Sequence, residues 1–254
     1  MISAKALSKK FGDFTAVDNL SLEIRKGEWF IFLGHNGAGK TTTIRMLLGL
    51  ATPSDGSAHV LGYNPNRDGI EVRRRCGYLP ERFQPYPYLS GWEYMEFCAD
   101  VYGVPRAERK ARIGELLELM EMASFSDRLI RNYSFGMKKK IGFCAALLHR
   151  PECLFLDEPT ADLDPKTSNL IRKIIRGLCD QGRTVFMTTH ILGITEKVCD
   201  SIGIFDHGTL IKKQSWTDFE KEYPGKTMEE IFLHLTGDVK AEKVEGFLTR
   251  EAQA

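Results

Sequence analysis

Along the chain, apolar positions first recur with the period of strands. Ile2 to Leu7, Ala16 to Ile24 and Trp29 to Leu33 read as strands, the last a nearly continuous apolar run of the kind buried on both faces. A Gly-rich loop and a helix from Thr41 to Leu50 follow. Pro53-Ser54-Asp55-Gly56 then marks a turn before a strand over Ser57 to Leu61, a short helix over Gly69 to Arg75 and a strand over Cys76 to Leu79. Between about residues 90 and 131 the period becomes helical: Ser90-Gly91-Trp92-Glu93 fits a capping box, and Pro105 fits the first turn of a second helix. From Phe135 onward helix and strand alternate, through Phe135 to His149, Cys153 to Leu156, Pro165 to Cys179 and Thr184 to Met187, which predicts parallel strands joined by helical crossovers. Beyond Ser215 two short amphipathic helices are expected. No internal repeat interrupts this order, so the reading is one lobed α/β domain over residues 1–214, with a helical insertion at about 90–131 and a short helical extension over 215–254.

Composition narrows the function classes. The 254 residues carry 35 Lys and Arg against 34 Asp and Glu, a formal charge of +1 that gives no global attraction to nucleic acid or an anionic membrane. The local basic clusters, Arg73-Arg74-Arg75, Arg106 to Arg112 and Lys138-Lys139-Lys140, read as solvated helix faces. Six cysteines, Cys76, Cys98, Cys144, Cys153, Cys179 and Cys199, are scattered without a C-x-x-C pair and read as reduced, half-buried thiols of a cytosolic protein. The start lacks a signal-peptide core and the longest apolar stretches, such as Ile141 to Leu148, are too short to span a bilayer, so a soluble chain is expected.

The candidate chemistry lies at strand ends. Gly34-His35-Asn36-Gly37-Ala38-Gly39-Lys40-Thr41 satisfies G-x-x-x-x-G-K-[ST] between a buried strand and a helix, the context a phosphate-binding P-loop requires. Glycines let successive backbone N–H groups point at phosphate oxygens, and the helix adds its positive N-terminal end. His35 and Asn36 fill the loop, Lys40 supplies a mobile charge for the outer phosphates, and the Thr41 hydroxyl is a candidate Mg²⁺ ligand beside Thr42. Residues 34 to 42 are thus the candidate ATP contacts. Cys153 to Leu156 ends in Asp157 and Glu158 at the carboxyl edge of a parallel sheet, where ligands bind in open α/β folds. Asp157 is expected to reach the metal and Glu158 to polarise a water attacking the γ-phosphate. Val185-Phe186-Met187 leads to His190, a structural histidine or a γ-phosphate sensor.

Tyr133-Ser134-Phe135-Gly136-Met137 opens a helix shortly before the acidic strand, and Ala161-Asp162-Leu163-Asp164-Pro165 follows it. The order of P-loop, helical insertion, this signature, Asp-Glu strand and late histidine resembles the ATPase subunits of ABC transporters over nearly the whole chain. The resemblance implies a P-loop NTPase core with an antiparallel β lobe. It also implies two copies joined head to tail, with ATP between one copy's P-loop and the other's Ser134 and Gly136. Asp164 matches the family's dimer-contact loop. Phe11 matches the aromatic that stacks on adenine, or belongs to the core. Three departures stand out. The family's Leu-Ser-Gly-Gly-Gln appears as Tyr-Ser-Phe-Gly-Met, losing a small residue and a terminal amide, and Glu81 stands where a metal-touching glutamine is usual. A carboxylate is a hard oxygen ligand that suits Mg²⁺.

The ending Met228 to Gly237 resembles the exporter branch that serves drugs, lipids and polysaccharides. The resemblance therefore implies an ATPase with ATP and Mg²⁺ as cofactors, a separate transmembrane permease as partner, a second ATPase subunit, no nucleic acid, and a peripheral place at the cytoplasmic face of the membrane. The exposed-looking aromatics Phe83, Tyr86, Tyr88 and Trp92, broken by Pro85 and Pro87, are the expected permease contact. A mechanical ATPase acting on DNA or the ribosome, a regulatory module without turnover, and a scaffold in cofactor assembly are the rival readings.

Overall fold

The computed structural model describes residues 1–194 and 198–237. The chain runs β1 (Ile2–Phe11), β2 (Phe14–Ile24), β3 (Trp29–Leu33), α1 (Lys40–Leu47), β4 (Asp55–Val60), α2 (Gly69–Arg75), β5 (Cys76–Leu79), α3 (Gly91–Val101) and α4 (Arg106–Leu119). It continues through α5 (Phe135–Leu147), β6 (Cys153–Asp157), α6 (Pro165–Asp180), β7 (Thr184–Thr189), β8 (Ser201–Asp206), β9 (Thr209–Ser215), α7 (Trp216–Glu222) and α8 (Met228–Thr236). Two sheets result. One is antiparallel, in the order β2-β1-β4; the other has the order β5-β6-β7-β3-β8-β9 and is parallel except for β9.

The central strand β3 shows why the layers stack as they do. All five of its residues are buried, and their alternation splits them between two cores. Trp29, Ile31 and Leu33 pack among the helices α3 to α8, whereas Phe30 and Phe32 pack with α1 and the antiparallel lobe. On the lobe side a ladder of rings crosses four strands: Phe155 to Phe186 at 5.7 Å, Phe186 to Phe30 and Phe32 at 5.2 and 5.5 Å, and Phe32 to Phe205 at 4.3 Å. These tilted and edge-on contacts follow the preference of aromatic quadrupoles. They fix the lateral order of the strands and hence of the loops at their carboxyl ends.

The helices α3 and α4 stand within the stretch from residue 90 to 131. The Ser90 hydroxyl accepts from the Glu93 N–H at 3.1 Å while the Glu93 carboxylate accepts from the Ser90 N–H at 2.8 Å, closing the capping box. Pro105 stands one residue ahead of α4 instead of inside its first turn. The second half of α5, Ile141 to Leu147, is buried all round, because the insertion covers one side of it and the sheet the other. Phe219 of α7 and Met228 and Ile231 of α8 enter the same core. No helix among the described residues is long and apolar enough to cross a membrane.

Several expectations need correction. The sequence reading assigns no element between His190 and Ser215, yet β8 and β9 form a hairpin there. His207 and Gly208 both have positive φ, 43° and 81°, between the paired Asp206 and Thr209, the backbone twist that suits a two-residue hairpin turn. The turn is tied to the rest by Gly208 N–H donating to the Ala38 carbonyl at 3.0 Å and the Asp18 N–H donating to the Gly208 carbonyl at 2.8 Å. The cysteines are buried outright, not half-buried: Cys76 and Cys153 lie in the lobe-side core and the other four in the helix-side core. Burial pushes the thiols of Cys144, Cys179 and Cys199 up to about 12. The basic clusters are not uniformly solvated either. Arg73 donates to the carbonyls of Leu48 and Gly49 at the end of α1, at 3.1 and 3.3 Å.

His149 links the insertion to the sheet. Its ring stacks on Tyr102 with centroids 3.8 Å apart, and Nε2 shares a 3.2 Å contact with the Cys76 carbonyl, whose acceptor role makes the nitrogen the donor. Burial lowers its pKa from 6.5 to about 4. The unfolded chain therefore binds the extra proton first as pH falls, so the native state loses stability between pH 6.5 and about 4 through this group. Urea denaturation at pH 7 and pH 5 should show a smaller loss in His149→Gln than in the unaltered chain, and an equal loss would discount this contribution.

Candidate functional site

The loop after β3 is held by the ends of its neighbours. The Gly34 N–H donates to the Thr189 carbonyl of β7 at 3.2 Å, and a Cβ on Gly34 would lie 2.3 Å from the Phe205 carbonyl of β8. Gly39, at φ 106°, leaves no room for a side chain either, since a Cβ would meet the Ala16 carbonyl of β2 at 2.1 Å. Lys40 opens α1 and folds back over the loop, donating to the carbonyls of Gly34 at 2.5 Å and His35 at 3.1 Å, with Glu158 3.4 Å away. Burial lowers the pKa of its ammonium, and the charge of Glu158 works against that shift.

The two acids at the end of β6 are treated differently by the fold. Asp157 is buried, and its two oxygens accept from the Thr41 hydroxyl of α1 at 2.6 Å and the Thr188 hydroxyl of β7 at 2.5 Å. Glu158 follows in a left-handed conformation, φ 51°, with its N–H donating to the Thr188 hydroxyl at 3.1 Å. Its carboxylate is only 3% exposed, yet neither oxygen has a hydrogen bond of proper geometry among the described residues. Lys40 at 3.4 Å is its ion-pair partner, and His190 Nδ1 lies 3.0 Å from the same oxygen. Strained backbone and an unsatisfied buried acceptor are both costly, and both gather at sites that act on ligands.

A cleft of about 470 Å³ opens over these groups. Residues 35 to 42, Asp157, Glu158 and Glu81 line it, and so does Phe11, which at 55% exposed is no part of the core. Gly34 lies beneath the loop, and His190 reaches Glu158 without lining the cleft. Phe14, Ala16 and Arg82 line the cleft too, Phe14 and Arg82 within three residues of the predicted site residues Phe11 and Glu81, and Ala16 five residues beyond Phe11. Thr188 joins the site through its bond to Asp157, a partner that the local pattern of β7 does not reveal.

The signature residues are not part of this cleft. Ser134 is the exposed N-cap of α5, accepting from the Met137 N–H at 3.2 Å, with Gly136 in the first turn behind it. Asp164 caps α6, accepting from the N–H and hydroxyl of Thr167 at 2.9 and 2.7 Å, bonds that lower its pKa. Lys139, expected on a solvated face, is 3% exposed and donates to the Ala161 carbonyl at 3.0 Å. It joins the signature helix to the loop after Glu158. Burial lowers its pKa, with Asp162, Glu158, Glu81 and Asp157 pulling it back up.

A glycine cradle at a helix start, a lysine over it and two carboxylates on the adjacent strand define a nucleoside triphosphatase of the P-loop class. Residues 17–161 match the family described as ABC transporter. The chain is 36% identical over 231 residues to the linearmycin resistance ATP-binding protein LnrL of Bacillus subtilis (strain 168), a match covering 91% of this chain and 74% of that protein. Some longer relatives are spanned for only 42% or 57% of their length. Among solved structures, an ATP-binding subunit of an ABC transporter has 28% identity and a TM-score of 0.86, covering 92% of this chain and 99% of that one. The dimeric structure of MJ0796, a bacterial ABC transporter cassette, has 25% identity and a TM-score of 0.79, covering 85% and 99%. The chain belongs to the ABC transporter family, as an ATP-binding and ATP-hydrolysing subunit.

The Thr188 hydroxyl serves both acids at once. Thr188→Val keeps the shape of the side chain but leaves one oxygen of a buried carboxylate without its donor, a loss of about 1–3 kcal/mol. Urea unfolding should register it, and an unchanged midpoint would show that Asp157 finds another partner.

Proposed function

We propose that this chain hydrolyses ATP as one half of a head-to-tail pair and so drives a separate membrane-spanning permease, of exporter type, from the cytoplasmic face. The observation that carries the catalytic part is the Glu158 carboxylate: buried, without hydrogen bonds among the described residues, and poised beside a complete phosphate cradle. Backbone N–H groups from 35 to 41 and the N-terminus of α1 receive the phosphates, Lys40 turns from the loop carbonyls to the outer phosphates, and Phe11 stacks on the base. Residues 34 and 42 frame the loop. The oxygens of Thr41, Asp157 and Glu81 form a hard donor set that fits Mg²⁺, which when bound neutralises phosphate charge. Glu158 takes a proton from the water whose oxygen attacks the γ-phosphorus as the bond to ADP breaks, and His190 holds Glu158 in place. Residues 1–214 form the working unit in this reading, with 215–254 as an extension, of which 238–254 lie outside the described residues.

The pairing reading rests on the separation of the signature from the cleft. Ser134 spends a lone pair on its cap but keeps its O–H, and it stands with the Gly136 N–H at an exposed helix start, a second anion site that a partner's triphosphate would complete. Asp164 borders the same contact. The dimeric state of the similar cassette supports it. In Glu158→Gln, ATP turnover should fall at least about a hundredfold, by analogy with other preorganised catalytic groups, while ATP binding persists. Light scattering on that variant should show the mass doubling with ATP. Unchanged turnover would remove Glu158 from the reaction, and a monomer at saturating ATP would end the pairing model.

The export reading is supported by the name of LnrL and by the ending Met228 to Gly237. For the permease contact, the aromatic run divides. Phe83 and Trp92 pack against the helix-side core, whereas Tyr86 and Tyr88 are 57% and 75% exposed, with the Tyr86 ring edge-on to Phe97 at 5.2 Å. The docking surface is therefore narrowed to Tyr86, Tyr88 and Phe97. Changing Tyr86 and Tyr88 to Ser should keep ATP turnover and melting temperature near those of the unaltered chain but abolish co-purification with the permease from detergent-solubilised membranes. Retained co-purification would move the contact elsewhere.

A further inference from the structure

Beside the phosphate loop, three side chains that the ATPase reading leaves without a task converge: His35 of the loop and Asp206 and His207 at the β8–β9 turn. One nitrogen or oxygen from each lies within 4.8 Å of the others. His35 Nε2 is 2.7 Å from Asp206 Oδ1, and His207 Nε2 is 3.9 Å from the same oxygen. The two imidazole rings lie edge-on, 5.1 Å apart.

His35 carries the argument. Its Nδ1 lies 2.7 Å from the Asn36 carbonyl, which only accepts, while its Nε2 faces a carboxylate, which only accepts as well. A neutral imidazole has one N–H and satisfies one of the two. In the tautomer with Nδ1–H on the carbonyl, the Nε2 lone pair and the Asp206 oxygen face each other as two donor atoms that a metal ion beside them can take up together. The Nδ1–H to carbonyl bond is the arrangement that orients metal-bound histidines and raises their basicity.

An ion is taken up with small side-chain shifts: a tetrahedral zinc with bonds of about 2.1 Å holds its ligand atoms about 3.4 Å apart, so the His35–Asp206 contact at 2.7 Å opens and the His207–Asp206 pair at 3.9 Å closes, each by less than about 1 Å. The turn that presents the ligands is fixed by the positive φ of His207 and Gly208 and by the bonds of Gly208 to Ala38 and Asp18, so little ordering remains for binding to supply. Two imidazoles and a carboxylate favour a borderline transition ion over Mg²⁺ or Ca²⁺. We infer that His35, Asp206 and His207 form a site for a divalent transition cation of the zinc class, distinct from the Mg²⁺ position at Thr41 and Asp157. Because His35 also lines the nucleotide cleft, the ion pins one wall of the phosphate loop, and its binding and that of ATP are reciprocally coupled.

The probe is Zn²⁺ added to the full chain, stripped with a chelator and free of nucleotide, with bound metal measured by equilibrium dialysis. The expected result is one zinc per chain, with affinity about tenfold or more weaker in both His207→Asn and Asp206→Asn. His207→Asn is the folding-safe variant, because asparagine accepts the left-handed turn conformation and the side chain is 85% exposed. Its zinc-free ATP turnover should match that of the unaltered chain. Zinc bound equally well by both variants would place the ion elsewhere, among the cysteines for example, and overturn the inference. No zinc uptake by the unaltered chain would overturn it also, leaving a proton between His35 and Asp206.

Discussion

A buried carboxylate organises the nucleotide edge of this protein. Asp157 draws one hydroxyl from the first turn of α1 and one from β7, so the helix and two paired strands are tied at one charged residue at the sheet's carboxyl edge. Hydrogen bonds to a charged acceptor are each worth about 1.5–3 kcal/mol, and removing either donor strands part of the charge. The phosphate loop is thereby held in register with the acidic strand end. The same Thr188 hydroxyl that donates to Asp157 accepts from the Glu158 backbone, which holds the next residue in its left-handed turn.

From this follows a contrast between neighbours. Asp157 has donors on both oxygens, whereas Glu158 has the Lys40 ion pair but, among the described residues, no hydrogen bond. In the proposed reaction that difference separates a fixed metal-side group from one free to meet water. The loop after Glu158 is in turn fastened to the signature helix by Lys139 through the Ala161 carbonyl. A change at the acidic strand end therefore has a short covalent and hydrogen-bonded route to the surface on which Ser134 stands. That route runs through one buried ammonium.

The phosphate loop and the Asp157-Glu158 strand end were legible because each is a local pattern whose meaning depends on the elements immediately beside it. The capping box at Ser90 was legible for the same reason. What escaped depends on distant partners. Lys139 looks like the middle of a basic helix face until residue 161 is folded over it. Thr188 gains its importance from Asp157, thirty-one residues earlier. The β8–β9 hairpin was missed because His207 occupies a turn position where asparagine or aspartate gives the usual signal. The aromatic run was read as a unit, yet only part of it faces outward: Phe83 and Trp92 have the helix-side core within reach, and Tyr86 and Tyr88 do not.

The placement of the cysteines has a practical consequence. All six thiols are buried, two on the lobe side of the sheet and four on the helix side, so each layer contains its own shielded nucleophiles. A thiolate reacts and a buried thiol does not, so alkylation must wait for the layer around it to open. Mass-resolved labelling over time would then act as a pair of clocks, Cys76 and Cys153 timing the lobe, and Cys98, Cys144, Cys179 and Cys199 timing the helices. Run with and without nucleotide, the two clocks would reveal which side of the sheet breathes during a turnover.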